Sequence, residues 1–243
     1  MKVLIAVIAY NEEKSIKSVI DDLNNHNIGY DIVVINNASF DNTKHICEEM
    51  GVKVLSHCVN SDINGTWKTY FNYAYRNEYD IVCQFDGDGQ HSAKELHKII
   101  NPIINKEANQ VIGSRFLGNS TYKPSFARRL GIKVFSIILS SVFKYKIRDV
   151  TSGFIAFDKR VISFFSSYFK NEINDSNQTH LLSFFSGAKI LEVPVNMSQR
   201  QHGRSLFNWS EIIAYPVKGF FNIAECMLLK KEIKREWMIK YES

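Results

Sequence analysis

The sequence predicts an α/β fold in which a mostly parallel sheet is flanked by helices. In the first half of the chain, short apolar runs alternate with segments whose apolar residues recur every three to four positions. The runs are continuous, which is typical of strands buried on both faces of a parallel sheet. A strand–helix–strand order of this kind indicates parallel strands joined by helical crossovers.

The elements follow one another in a regular order. The apolar run at residues 3–9 meets Tyr10, Asn11 and Glu12 without a small-residue cleavage site, so it is predicted to be a strand and not a signal peptide. Further strands are predicted at residues 32–35, 52–55, 81–85, 110–113, 153–157 and 189–193. Helices are predicted at residues 16–23, 46–50, 96–103, 126–143 and 178–185.

A helical tail is predicted to follow the main domain. We expect the domain to cover residues 1–205 and the tail to cover residues 206–243, which are rich in aromatics and end in a cluster of lysines and an arginine. Aromatics beside cations are typical of a helix lying on a membrane interface. The alternative is a tail packed on its own domain or on a second subunit.

Composition limits the class of protein. The 243 residues carry a formal net charge of +5, which is compatible with anionic ligands or an anionic membrane surface but does not indicate nucleic acid. The four cysteines are scattered without a CxxC pair, which argues against a disulfide framework or a zinc site. No window offers the roughly 18 apolar residues that a membrane span needs. We therefore expect a cytoplasmic protein that is soluble or peripheral to the membrane.

Polar residues follow several predicted strands, where ligands of open α/β sheets bind. Tyr10, Asn36 and Asp86 hold such positions. The strongest signal is the segment 85–91, in which Asp86 and Asp88 stand one residue apart and glycines allow a ligand to approach closely. Carboxylate oxygens suit Mg²⁺ or Mn²⁺, which keep substrate phosphates in their coordination shell. The alternative is a solvated loop of turn-forming residues.

Six short segments of the first 205 residues form a recognisable series. Beside FDGDGQH at 85–91, they are IAYNEE at 8–13, VINNASFDNT at 34–43, VIGSRF at 111–116, RDVTSGF at 148–154, and EVPV with RQHGRS within 192–205. In order and spacing they resemble the motifs of family-two glycosyltransferases, which have the GT-A fold. The segment 85–91 is similar to the DxDxQ form found in dolichol-phosphate-mannose synthases and their bacterial polyprenyl-phosphate relatives.

The resemblance implies a nucleotide-diphosphate-sugar donor and Mg²⁺ or Mn²⁺ as cofactor. Asp86, Asp88 and Gln90 would hold the cation against the diphosphate, and Asp88 and Arg115 would act in catalysis. Arginines would face phosphate oxygens, which a guanidinium fork fits. The implied donor-binding residues are Ala9, Tyr10, Glu12, Asn36, Asn37, Asp41, Gly65, Asp86, Asp88, Arg115, Arg128, Arg129, Arg200 and Ser205.

Several residues of the six segments also have simpler interpretations. A lone arginine such as Arg115 or Arg200 is commonly part of a surface salt bridge. Gly153 and Phe154 could be a turn and a core aromatic. His91 and His202 are interpreted as exposed loop histidines rather than as acid–base groups.

The acceptor implied by the resemblance is a polyprenyl phosphate or a growing glycan. Family members that use hydroxyl acceptors carry an acidic residue just before the helix that leads to EVPV, and here that place falls near Gln178. Asp175 would be the catalytic base from a shifted position. A polyprenyl phosphate needs no base, because its oxygen is anionic near neutral pH (second pKa about 6). The missing acid therefore favours a lipid phosphate.

The sequence also departs from the family pattern. Ile8 replaces the opening proline, and Asn36 and Asn37 replace paired aspartates. Residues 65–67 stand where a GKG-like turn is expected, and Leu206 replaces a lysine. These changes leave the donor base and sugar open, and they keep a catalytically degenerate homologue that acts as a binding module as the alternative. A nucleotidyltransferase is disfavoured, because no glycine-rich phosphate loop follows the first strand.

Overall fold

The computed structural model describes residues 1–26, 29–117, 136–137, 140–141, 147–168, 176–199 and 209–241. Its strands are β1 (Val3–Ala9), β2 (Asp31–Asn36), β3 (Lys53–Ser56), β4 (Ile81–Asp86), β5 (Gln110–Ser114), β6 (Ile155–Asp158) and β7 (Ile190–Pro194). Its helices are α1 (Ile16–His26), α2 (Thr43–Glu49), α3 (Asp62–Arg76), α4 (Leu96–Ile104), α5 (Lys159–Tyr168), α6 (Ser176–Ser186) and α7 (Trp209–Tyr241), with a 3₁₀ turn at Ala93–Glu95.

These strands form one sheet in the order β3-β2-β1-β4-β6-β5-β7. Strand β6 runs antiparallel to β4 and β5, and the other neighbours are parallel, so the predicted fold class is confirmed. In the register, Ala9 lies beside Asn36 and Ile8 lies beside Asp86. The carboxyl ends of β1, β2 and β4 are therefore level, and their polar residues meet at one edge.

Helices cover both faces of the sheet. Because side chains alternate along a strand, Leu4 faces the layer of α3, α5, α6 and α7, whereas Ile5 faces the layer of α1, α2 and α4. The first layer has an aromatic centre, in which the Phe71 ring lies 5.0 Å from the rings of both Phe157 and Phe165. The rigid sheet between these two cores supports the loops at its carboxyl edge.

The second half of α7 packs on the domain. Ile223, Cys226, Ile233 and Trp237 recur at helical spacing and are buried in the same core as α5 and α6. The Trp237 ring lies 5.8 Å from that of Phe164 on α5. The predicted C-terminal helix is thus confirmed, and the domain boundary at residue 205 stays a prediction. None of the described helices combines the length and the apolar character that a membrane span requires.

The helix α3 differs most from the prediction. Trp67, Tyr70, Phe71 and Ala74 are buried along one stripe of α3, at the spacing of an amphipathic helix. The turn predicted at Gly65 is therefore wrong, because Gly65 lies inside this helix. Helix α5 is likewise absent from the prediction. The helix predicted at residues 126–143 lies outside the described residues except at positions 136–137 and 140–141, which are helical.

His180 on α6 makes folding stability depend on pH. It is fully buried, its Nδ1 accepts a hydrogen bond from Gln110 Nε2 at 2.7 Å, and its Nε2 has no partner. Burial lowers the pKa of His180 to about 4, against the opposing effect of the Asp149 carboxylate. Between about pH 6.5, the usual histidine pKa, and pH 4, the unfolded chain binds a proton that the folded protein does not.

Above pH 6.5, His180 is not expected to lower the free energy of unfolding. Between pH 6.5 and pH 4 the free energy of unfolding should fall by roughly 1 kcal/mol per pH unit on acidification. Below pH 4 this histidine should cause no further loss. His180→Asn keeps an acceptor near the position of Nδ1 but does not titrate. Denaturant unfolding at several pH values from 7.5 to 4 should show that the free energy of unfolding depends less steeply on pH in the variant than in wild type. Equal slopes for the two proteins would contradict the assignment.

Candidate active site

The loops that follow β1, β2 and β4 interlock at the carboxyl edge of the sheet. The Gly87 N–H donates to the Ile8 carbonyl at 2.8 Å, and the Asn37 N–H donates to the Ala9 carbonyl at 2.9 Å. A Cβ on Gly87 would lie 3.0 Å from the Ile8 oxygen and 3.2 Å from the Ala9 Cβ. The glycine between the two aspartates is thus required for the close approach of their loop to β1.

The two aspartates differ in exposure. Asp86 ends β4 with 33% of its side chain exposed, whereas Asp88 is nearly buried. Asp88 Oδ1 accepts a hydrogen bond from the Gln90 N–H at 3.0 Å, and Gly89 makes the turn possible with φ of 78°. The Gln90 side chain donates from Nε2 to the Ser198 carbonyl at 3.3 Å. The predicted cation ligands therefore share one short, ordered loop.

His91 is buried and packs against this loop, so its interpretation as an exposed loop histidine is wrong. Its Nδ1 accepts a hydrogen bond from the Asp86 N–H at 3.0 Å, which leaves the ring proton on Nε2. That nitrogen lies 3.5 Å from Asp86 Oδ2. The ring stacks on Phe154 with centroids 4.7 Å apart. Burial lowers the pKa of His91 to about 4, although the Asp88 carboxylate opposes this, so the ring is neutral at physiological pH.

Gly153 backs the carboxylate of Asp86. A Cβ on Gly153 would lie 2.8 Å from Oδ2 and 3.0 Å from Oδ1 of that aspartate. Phe154 is buried against His91 and Phe85. The plain alternative of a turn and a core aromatic therefore describes Phe154 in part, but both residues also shape the aspartate loop.

We predict that Gly153→Ala lowers activity by about 10- to 100-fold, as disturbance of groups behind a metal ligand typically does. The added Cβ would push the Asp86 carboxylate aside, and Gly153 does not have a positive φ that would strain an alanine. Steady-state rates over a range of Mn²⁺ concentrations would measure the effect, with the melting temperature as the control for folding. Wild-type activity at wild-type Mn²⁺ requirement would show that the contact is unimportant.

The donor set fits a hard divalent cation. Asp86 and Asp88 offer carboxylate oxygens and Gln90 offers an amide oxygen, all on the loop just described. Within the described ranges, no group of three or more His, Cys, Asp or Glu side chains converges as a complete cage would require. A small set of oxygen ligands is typical of Mg²⁺, which takes its remaining ligands from substrate phosphates and water.

Arg115 lies at the same edge, after β5, in a buried ion pair. Its Nε and Nη2 donate to Oδ2 and Oδ1 of Asp149 at 2.7 Å each, and its backbone N–H donates to Oδ2 at 2.9 Å. Nη2 also donates to Thr151 Oγ1 at 2.9 Å. The Asp149 N–H in turn donates to Glu192 at 2.7 Å, and burial raises the pKa of that glutamate. The surface salt bridge considered for Arg115 is thus a buried one, and its contact with phosphate stays a prediction.

The loops after β1 and β2 form the other end of the site. Tyr10 is half-buried and meets Phe40 edge to face at 6.3 Å, and Phe40 is 84% exposed. Asn11 has φ of 56° and accepts a hydrogen bond from the Phe40 N–H at 3.0 Å, while Ala38 has φ of 60°. Strained backbone of this kind is common at ligand sites. The Tyr10–Phe40 pair offers an aromatic surface on which a nucleobase could stack.

The acidic residues of these loops hold backbone groups. Glu12 is buried and accepts a hydrogen bond from Ser15 Oγ at 2.9 Å. Asp41 accepts hydrogen bonds from the backbone N–H groups of Thr43 at 3.0 Å and Glu13 at 3.1 Å, at the start of α2. Both carboxylates therefore order the loops, and their contact with a nucleotide stays a prediction.

Asn36 and Asn37 are buried and bonded within the protein. Asn36 Oδ1 accepts a hydrogen bond from the Ser39 N–H at 3.2 Å. Asn37 Nδ2 donates to Asn60 Oδ1 at 3.0 Å, and Asn37 Oδ1 accepts from the Ser61 N–H at 3.0 Å. The Ser61 side chain occupies the space beside Gly65 of α3, where an added Cβ would lie 2.0 Å from the Ser61 hydroxyl. The two amides thus fix the loop that leads towards α3.

Some predicted positions cannot be compared with the structure. Asp175, Arg128, Arg129, Arg200, His202 and Ser205 lie outside the described residues. Sequence reasoning assigned no role to Phe40, Asp149 or Glu192, and it underrated His91 and Gly153. All five stand in segments that carry the family resemblance, which is the signal that could have pointed to them.

Comparisons with known proteins show the family to which the chain belongs. The family described as Glycosyl transferase family 2 matches residues 4–165. The chain is 30% identical over 207 residues to the UDP-N-acetylglucosamine–dolichyl-phosphate N-acetylglucosaminyltransferase of Methanococcus voltae, covering 77% of this chain and 82% of that protein. It is 22% identical over 233 residues to the polyprenol monophosphomannose synthase of Mycolicibacterium smegmatis, covering 92% and 86%.

The fold also matches a solved structure. Glucosyl-3-phosphoglycerate synthase from Mycobacterium tuberculosis, in complex with Mn²⁺, uridine-diphosphate-glucose and phosphoglyceric acid, aligns with a TM-score of 0.69 at 17% identity, over 93% of this chain and 79% of that one. Its sequence identity is low, so this likeness concerns the fold. The chain belongs to glycosyl transferase family 2, has the GT-A fold and is a glycosyltransferase.

Proposed function

We propose that this glycosyltransferase moves a sugar from a nucleotide-diphosphate donor to a polyprenyl phosphate, with inversion at the anomeric carbon and with the help of a divalent cation. The observation that carries the proposal is the ordered pair Asp86 and Asp88 at the carboxyl edge of the sheet, supported by His91 and Gly153. A binding module that holds no cation would have no use for two aspartates ordered in this way.

Asp86, Asp88 and Gln90 would hold Mg²⁺ or Mn²⁺. When bound, the cation supplies positive charge that stabilises the departing diphosphate. The solved structure of similar fold contains Mn²⁺ with its uridine nucleotide, which supports this choice. His91 and Gly153 keep the Asp86 carboxylate in one orientation, so the charge of the site is arranged before the substrate arrives.

The nucleotide would lie across the loops after β1 and β2. Tyr10 and Phe40 would form the surface for the base, and Asp86 at the end of β4 lies beside Ile8, two residues before Tyr10. The diphosphate would then extend from the aromatic pair towards Asp86 and Asp88. Arg115, held by Asp149 at the end of β5, would add positive charge at the end of the site opposite the Tyr10–Phe40 pair.

A polyprenyl phosphate is the acceptor that this site favours. The relatives that act on dolichyl phosphate and polyprenol cover more than three quarters of this chain. A phosphate oxygen is already anionic near neutral pH, so no general base is needed, in agreement with an amide at Gln178. A glycan hydroxyl is the second candidate, for which Asp175 would be the base.

We place the enzyme in the cytoplasm, where nucleotide sugars would be its donors. The four cysteines are free, which is consistent with a reducing compartment. Contact with the membrane surface would give access to a lipid acceptor.

Equilibrium binding would test the donor part of this proposal. Wild-type protein would be titrated with UDP-, GDP- and dTDP-sugars, with and without Mn²⁺. We expect one nucleotide class to bind, more tightly with Mn²⁺ than without it. Donor binding of equal affinity with and without Mn²⁺, or no binding to any donor of the panel, would contradict cation-dependent donor binding. Either result would favour a degenerate homologue.

A further inference from the structure

We propose that Tyr70 and Gln84 act together as positioning residues that orient the Asp86 carboxylate for its cation. The inference rests on the proposed function, because it concerns how a ligand of the proposed cation is held. Tyr70 lies on α3 and is fully buried, and Gln84 lies on β4 with 2% of its surface exposed. Two polar side chains in the core are thus joined to the one aspartate of the loop that is open to solvent.

Gln84 contacts the carboxylate from within the same strand. Gln84 and Asp86 stand two positions apart on β4, so their side chains leave the sheet on the same face. Gln84 Nε2 donates a hydrogen bond to Asp86 Oδ1 at 3.4 Å, while His91 Nε2 lies 3.5 Å from Oδ2. Each oxygen of the carboxylate therefore faces a neutral N–H group. Both distances are long, as is common at sites whose contacts tighten only when the ligand binds.

Tyr70 determines which end of the Gln84 amide faces Asp86. The Tyr70 hydroxyl donates a hydrogen bond to Gln84 Oε1 at 3.4 Å. Burial raises the pKa of Tyr70 well above its usual range, and Cys83 and Asp86 add to the effect, so the hydroxyl keeps its proton. If the amide were turned over, its oxygen would face the carboxylate oxygen, and neither could donate a proton. The hydroxyl therefore favours the orientation that offers Nε2 to Asp86.

The surroundings of this pair argue against a role in packing alone. Tyr70 belongs to the apolar core between α3 and the sheet, where its ring lies 4.6 Å from that of Phe71. An added Cβ on Gly153 would lie 3.0 Å from Gln84 Nε2, so the amide is also closely packed. Burial of a hydroxyl and an amide costs free energy that two apolar side chains of similar shape would not cost. Orientation of the carboxylate gives a reason for that cost.

A neutral donor is suited to a side chain that binds a cation. A lysine in place of Gln84 would neutralise the charge that attracts Mg²⁺ or Mn²⁺, whereas an amide N–H orients the carboxylate and leaves its charge intact. One N–H occupies only part of the accepting capacity of Asp86 Oδ1. We therefore expect the pair to affect mainly the affinity for the cation, and to affect the rate at saturating cation much less.

Binding of Mn²⁺ to the full chain tests this inference without donor or acceptor. The electron paramagnetic resonance signal of free Mn²⁺ would be followed as wild type or a variant is added. Gln84→Met keeps the length of the side chain but has no N–H, and it should weaken Mn²⁺ affinity by about 10-fold or more. Tyr70→Phe removes only the hydroxyl, and it should weaken the affinity by about fivefold, the value of one neutral hydrogen bond.

The double variant distinguishes positioning from a general loss of packing. Because Tyr70 acts through Gln84, Tyr70→Phe should not weaken Mn²⁺ affinity further when Gln84→Met is already present. Rates of donor turnover over a range of Mn²⁺ concentrations provide a second readout. Each variant should need more Mn²⁺ for half-maximal activity and should approach the wild-type kcat at saturation. The melting temperature reports packing separately.

Tyr79→Phe is the matched control. It removes the hydroxyl of another buried tyrosine, which donates to Asp31 Oδ2 at 2.9 Å at the opposite edge of the sheet. It should leave Mn²⁺ affinity unchanged. Wild-type affinity in Gln84→Met and Tyr70→Phe, or additive losses in the double variant, would overturn the inference and leave the proposed cation site standing. Failure of wild type to bind Mn²⁺ would reject the cation site and the inference with it.

Discussion

Replacement of Asp88 by asparagine is expected to lower kcat by about 100-fold or more while the protein stays folded. Asparagine keeps the shape of the side chain and an oxygen that can accept the Gln90 N–H. It removes the negative charge on which cation binding depends. Steady-state release of nucleotide from the preferred donor, in Mn²⁺ or Mg²⁺, would measure the loss.

The same change on an exposed helix provides the control. Asp21→Asn on α1 alters a carboxylate that is half exposed and makes only a weak ion pair with Lys17. It should leave kcat unchanged. If Asp88→Asn retained most of the wild-type rate, the role of the aspartate loop in holding the cation would be wrong.

Replacement of Asp149 by asparagine is expected to lower the free energy of unfolding by about 3–5 kcal/mol, because it leaves the Arg115 guanidinium buried without its counter-charge. Asp149 is fully buried and accepts two side-chain hydrogen bonds and one backbone hydrogen bond from this arginine. Denaturant titration monitored by circular dichroism would give the change.

A second variant distinguishes a broken pair from a general packing defect. Arg115→Met combined with Asp149→Leu removes both charges, and it should recover part of the stability lost in Asp149→Asn. Asp21→Asn, which touches an exposed pair, should cost less than about 0.5 kcal/mol. A cost for Asp149→Asn as small as that would show that the pair is not buried in solution.

Much of the fold could be predicted from sequence, because buried parallel strands leave a simple signal. Strands β1, β2 and β4 are continuous apolar runs, and the predicted bounds agree with the structure within a residue or two. The aspartate loop could also be predicted, since its residues are contiguous and end a strand. Helix α3 was not predicted, because its stripe is made of aromatics and its first turn contains a glycine that resembles a turn signal.

The support of the site could not be predicted from local pattern. His91 is buried because Phe154, far along the chain, stacks on it. Gly153 approaches Asp86 because β6 runs antiparallel beside β4, and the sequence pattern does not give that direction. The pairing of Arg115 with Asp149 likewise joins two segments that are separate in sequence. Such contacts depend on tertiary packing, which residue spacing does not encode.

The central claim is transfer of a sugar from a nucleotide-diphosphate donor to a polyprenyl phosphate at the Asp86–Asp88 loop. It is tested most directly by incubating the enzyme with a labelled donor, Mn²⁺ or Mg²⁺ and a polyprenyl phosphate, and by measuring the label that enters the organic phase. We predict cation-dependent incorporation that requires the lipid phosphate and is lost in Asp88→Asn. Turnover of the donor without labelled lipid, or incorporation that Asp88→Asn leaves unchanged, would contradict the claim.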